Sequence, residues 1–165
     1  MSNKPGKSVA GFTVAELLIG LAITALLLTA LAATFNASVK SYQENRGMLK
    51  ALNNTRQALL RMTSQLRTGW RVDPNAPSGT CSFYTSADED ITYEFRSADN
   101  KLYLITNSNG QEYVLCDNVT AATFTKTPTD DASDCKSVQI SLTVQSGTWQ
   151  HRLCAAVVVR RNLGQ

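Results

Sequence analysis

Residues 7–20 read KSVAGFTVAELLIG, a stretch that joins a basic leader to an apolar run carrying a single acid, Glu16. From 12 to 35 the chain has 24 residues dominated by Leu, Ile and Ala, with no other ionisable group. At about 1.5 Å per residue, a helix of that length crosses a hydrocarbon core of about 30 Å. A cleaved secretory signal has an apolar region of only about 7–15 residues, so this run reads as an anchor. Lys4 and Lys7 precede it and a long polar region follows. By the positive-inside rule the N-terminus is expected in the cytoplasm, with the chain beyond about residue 40 outside.

A plain anchor has no use for Glu16. A carboxylate in a spanning helix is costly near the centre and cheaper near an end. One reading leaves it wet at the cytoplasmic interface. The other supplies a cationic partner, because a charge removed from water is tolerated when paired. Ala25, Thr29, Ala33 and Ala37 recur every four residues. That spacing suits close helix approach in a bilayer, and equally an ordinary alanine-rich helix.

The basic leader ending in Gly11, then Phe12, Thr13 and Glu16, then unbroken apolar sequence, resembles the type IV prepilin signal. The resemblance implies that a membrane prepilin peptidase cuts between Gly11 and Phe12 and methylates the new amino group of Phe12. It also implies that Glu16 pairs with the N-terminal amine of a neighbouring subunit in a filament core. The implied partners are other pilin-like subunits, met through the N-terminal helix, together with the peptidase and the bacterial inner membrane. Major pilins usually carry proline where this chain has Ala33, and often glycine where it has Ala25. Their absence points to a minor, priming or tip-associated subunit with a less interrupted helix. Residues 52–67, LNNTRQALLRMTSQLR, are similar to the post-anchor helix of J-type minor pseudopilins of type II secretion.

Past residue 35 the pattern turns amphipathic. Leu49, Leu52, Leu59, Leu66 and Trp70 form a helical seam, while Lys50, Arg56, Arg61 and Arg67 face elsewhere. No proline interrupts the chain between Gly11 and Val72, so one helix over about 12–68 is expected, with Gly47 as a weak point and Gly69 as its stop. Strands are expected at 81–85, 91–95, 101–106, 112–115 and 119–127, from their aromatic and β-branched content. A last hairpin alternates Val138, Ile140, Leu142 and Val144, turns at Ser146-Gly147, and sets Trp149 opposite Val144 and Leu153 opposite Ile140. Cys154 then points away from the core. The fold class is α+β: leader 1–11, spanning helix 12–35, amphipathic continuation 36–70, and an antiparallel β head over 71–165 that packs on the helix.

The four cysteines, Cys81, Cys116, Cys135 and Cys154, all lie in the second half of the chain. They form no C-x-x-C pair, and the lone His151 has no neighbouring ligand set, so no metal site is expected. Beyond a membrane-targeting segment, two disulfides are expected, with the pairing open. The acids at 88–90 and at Asp130, Asp131 and Asp134 have the chemistry to bind calcium, but acidic surface loops are far commoner, and no cofactor is assigned. No nucleophile motif or phosphate-cradling loop occurs, so no catalytic residues are assigned. The net charge is +3, and without Lys4 and Lys7 it is +1, which argues against nucleic acid as a partner. Two functions follow: a minor assembly subunit of a secretion pseudopilus or type IV pilus, or a prepilin-exported, membrane-anchored binding or adhesion module with a disulfide-bonded head.

Overall fold

The computed structural model describes residues 11–160; Lys4, Lys7 and the rest of the expected leader before Gly11 lie outside the described residues. A single helix, α1, runs over Val14–Thr68. It starts two residues inside the expected 12–68 because Thr13 takes the capping position. The helix then runs through Gly47 unbroken. A Cβ on Gly47 would stand 3.1 Å from Ser146 Oγ, so this glycine serves a close approach. The chain divides at Gln43 and Glu44 into two units.

In the first unit the helix is exposed along its whole length, and an 18-residue window of α1 has a mean hydropathy of 2.3. It is long and apolar enough to cross a bilayer. Its hydroxyls are turned inward on the backbone: Thr24 donates to Gly20 O at 2.9 Å, Thr29 to Leu26 O at 2.8 Å, and Thr34 to Ala30 O at 2.9 Å. This local bonding would satisfy the hydroxyls in a bilayer, where no water reaches them.

In the second unit the remaining part of α1 packs on two antiparallel sheets. The first has the order β1 (Thr80–Tyr84), β2 (Asp90–Arg96), β3 (Lys101–Thr106) and β4 (Gln111–Cys116). The second has the order β5 (Val119–Pro128), β6 (Cys135–Ser146) and β7 (Trp149–Val158). One continuous meander was the simpler expectation; the break falls at Asp117-Asn118, where Asn118 adopts a φ of 59°. β5 nevertheless lies against β1, β2 and β3, with the Val119 amide bonded to Asn100 O at 2.9 Å and the Phe124 amide to Ser78 O at 2.7 Å. The inner faces contribute Phe83, Tyr93 and Leu102 from the first sheet, and Phe124, Ile140 and Leu142 from the second.

The buried seam of α1 is Ala51, Thr55, Ala58, Leu59, Met62 and Leu66. Leu59 and Leu66 are on it as expected, Leu52 is only partly buried, and Leu49 is 60% exposed. The reason is periodicity. Leu49, Leu52, Leu59 and Leu66 step by three and seven, and at about 100° per residue Leu49 falls well over 90° from the centre of the buried stripe. The stripe itself uses small residues at Ala51, Thr55 and Ala58, which let the backbone approach the sheets.

The last hairpin turns at Gly147-Thr148, with Gly147 at a φ of 60°. Glycine at the first of two turn residues suits a tight hairpin connection. Trp149 therefore faces Ser146, His151 faces Val144, Leu153 faces Leu142 and Ala155 faces Ile140. This corrects the expected register by two residues, which leaves every side chain on its expected face. Cys154 accordingly lies opposite Ser141 on the exposed side.

Gly69 follows the helix, but its φ is not left-handed; the reversal falls on Arg71, at a φ of 51°. What requires glycine is crowding, since a Cβ would stand 2.7 Å from the Phe83 ring and 2.9 Å from Tyr84 O. The next residue, Trp70, exchanges backbone hydrogen bonds of 2.9 Å with Tyr84, so neither strand can retreat. Gly69→Ala should destabilise the head by roughly 1–3 kcal/mol, as overpacking of a fixed site does. Denaturant melts of the purified protein read the change directly.

Candidate functional site

The start of α1 is built by a reciprocal capping arrangement. Thr13 N–H donates to Glu16 Oε2 at 2.9 Å and Thr13 Oγ1–H donates to the same oxygen at 3.0 Å. The Glu16 amide returns a bond to Thr13 Oγ1 at 3.3 Å. This is a capping box: Thr at the cap and Glu three residues on satisfy helix donors that have no intrahelical partner. The T-x-x-E spacing was available in the sequence, and reading Glu16 only as a charge overlooked it. A carboxylate in the first turn also complements the positive end of the helix dipole.

Beside this cap, Phe12, Glu16, Leu17, Gly20, Leu21 and Thr24 line a shallow apolar groove on the helix surface. A Cβ at Gly20 would meet nothing within 4 Å. Glu16 is thus an exposed acid set in exposed apolar surface, with the cap using one of its oxygens. Gly11 and Phe12 precede the helix in an irregular segment, and both are exposed. Ala25, Thr29, Ala33 and Ala37 are all exposed as well, spaced four apart along the helix.

The head gathers no comparable chemistry. Among the described residues, no group of three or more His, Cys, Asp or Glu side chains converges as a metal site requires. The acids of the 130–134 loop are occupied locally. Asp130 pairs with Lys136 at 2.6 Å, and Asp131 accepts from Thr129 Oγ1 at 2.6 Å and Ser133 Oγ at 2.6 Å. Those hydroxyl bonds hold the Asp131 carboxyl at about 2, with Ser133 the larger influence. Asp134 Oδ1 accepts the Val72 amide at 2.7 Å and the Cys135 amide at 2.6 Å. Arg96 bridges Glu94 and Glu112 at 2.9 and 2.6 Å and lies over the Tyr103 ring. Its bond to Glu112 draws that carboxyl below the ordinary range. His151 Nε2 is buried without a hydrogen-bond partner, against the hairpin tip and α1.

No disulfide links cysteines among the described residues, which departs from the expected two bridges. Cys116 is buried, 3.2 Å from the Thr55 hydroxyl of α1. Cys154 is exposed on the outer face of β7, donating to Ser141 Oγ at 3.6 Å. Cys81 and Cys135 are both fully buried in the core. The fold therefore divides four similar residues into distinct environments.

Comparison of the chain with protein-family models, with curated proteins and with solved structures found no match.

Proposed function

We propose that this chain is a minor pilin-like assembly subunit that helps prime or cap the filament of a type II secretion system or a type IV pilus. The observation that carries the reading is one exposed carboxylate, Glu16, at the head of an exposed apolar helix. An anchor needs the apolar surface but not the acid. In a filament core, the acid meets the N-terminal amine of the neighbouring subunit, and the apolar surfaces of adjacent helices exclude water around the pair. That amine becomes available when prepilin peptidase cuts between Gly11 and Phe12 at the inner membrane and methylates Phe12. Before assembly the helix spans the bacterial inner membrane, with the leader in the cytoplasm and the head outside. Packing of helices through small residues in lipid supports the same arrangement.

Cleavage gives the direct test. Intact-mass analysis of membrane-extracted protein should show loss of residues 1–11 and gain of one methyl group. Gly11→Val should leave full-length protein, because a branched side chain obstructs the scissile bond in the peptidase. Retention of the leader on the unaltered chain, in cells with an active peptidase, would overturn the proposal. Co-purification with other pilin-like subunits then separates a filament component from a solitary membrane-anchored binding module.

A further inference from the structure

We infer that Cys81 and Cys135 form the one intrachain disulfide of the head, joining β1 of the four-stranded sheet to β6 of the three-stranded sheet, while Cys116 and Cys154 remain thiols. The inference does not rest on the proposed function.

Two consecutive backbone amides bring the pair together. The Asp73 amide donates to Ser82 O at 3.0 Å, and Ser82 follows Cys81. The Val72 amide donates to Asp134 Oδ1 at 2.7 Å, and the same oxygen accepts the Cys135 amide at 2.6 Å. The 72–73 segment is therefore gripped by the neighbours of both cysteines. Both side chains point into the core at 0% exposure. Each thiol also feels the same two charged groups, Lys126 and Asp73, and Cys81 feels Cys135 directly.

The alternatives fail on geometry, Cys116–Cys135 among them: Cys116 ends β4 just before the Val119 end of β5, whereas Cys135 pairs with Pro128 at the opposite end of that strand. A disulfide requires Cα atoms within about 7 Å. Cys81 and Cys116 occupy the two edge strands of one sheet, β1 and β4, separated by three strand spacings of about 4.8 Å each. Cys154 lies on the outer face of β7, so its own sheet stands between it and the buried thiols.

Formation is a thiol–disulfide exchange with a small or protein disulfide as oxidant. With glutathione disulfide, the two cysteine thiols lose two protons and two electrons and gain one S–S bond. The glutathione S–S bond breaks, and its two sulfurs take up those electrons and protons as two thiols. Burial pushes the Cys81 thiol up to about 12, and burial with the adjacent Asp134 charge pushes Cys135 up to about 11. Thiolate, the attacking species, is therefore scarce once the core has closed. The bond forms during folding and resists exchange afterwards.

The test uses the full chain in detergent micelles, refolded in a glutathione redox buffer, alkylated under denaturing conditions and mapped without reduction. The peptide bearing Cys81 should be joined to the peptide bearing Cys135, with Cys116 and Cys154 alkylated. The Cys116→Ser/Cys154→Ser variant should retain the link. Cys81→Ser and Cys135→Ser should each lose it and melt about 5–15 °C lower than the oxidised parent. A bridge to Cys116 or Cys154, or four alkylated thiols in oxidatively refolded protein that has regained its native melting transition, would overturn the inference.

Discussion

Replacing Glu16 with alanine should reduce filament or secretion output at least tenfold while leaving leader cleavage and the melting of the head unchanged. The head's core is made by residues from Ala51 onward, so loss of Glu16 removes nothing from it. Alanine also lowers the resistance of this helix to bilayer insertion, so a simple anchor would tolerate the change or improve. The capping box makes the experiment sharper. Glu16→Gln keeps an oxygen for Thr13 but removes the charge, since glutamine serves at this position of a capping box. Thr13→Ala removes the cap hydroxyl but keeps the charge. If charge pairing with a neighbour's amine is what matters, Glu16→Gln should fail nearly as completely as Glu16→Ala, and Thr13→Ala should assemble. The reverse pattern would assign Glu16 to helix capping alone. Crosslinking between subunits reads assembly separately from expression.

The long helix was legible because its signals are local: an unbroken apolar run, then a 3.6-residue pattern, then Gly69 before a proline-rich turn. Its buried face was less so. Leucines attract attention, yet Ala51, Thr55 and Ala58 face the sheets because only small side chains fit there. Strands were placed within a residue or two, except that β6 begins three residues before Val138, since alternation and turn residues are also local. The split into two sheets was not, because it depends on which edge strands meet: β5 lies against β1, but its Phe124 amide bonds to Ser78, in the segment before β1. At the helix start, residues 13–16 carry both a charge signal and a T-x-x-E capping signal, and the folded chain uses the second in its cap. Strand parity in the sequence set only Cys154 apart from the other cysteines, whereas sheet order separates Cys116 from Cys81 and Cys135.

Asp134→Ala should be the most damaging single change in the head that deletes no apolar group, at roughly 2–6 kcal/mol, from two buried donors left without an acceptor at about 1–3 kcal/mol each. Asp134 belongs to an acidic cluster that sequence reads as solvated surface, but the structure leaves it only 7% exposed. Its Oδ1 holds the amides of Val72 and Cys135, and Val72 is fully buried just after the helix. One oxygen thus ties the exit of α1 to the start of β6. The loop is closed around it: the Thr129 amide donates to Asp134 O at 2.8 Å, and the Asp134 amide donates to Thr129 Oγ1 at 3.1 Å. Asp134→Asn keeps an acceptor of the same shape and loses only the charge assistance, so it should cost about 1 kcal/mol. Asp130→Ala, at a solvent-facing pair with Lys136, should change stability little. Urea unfolding of the purified chain decides between these, read as a lower midpoint with an unchanged slope. Equal effects for Asp134→Ala and Asp130→Ala would show that the carboxylate is not the strut between helix and sheet.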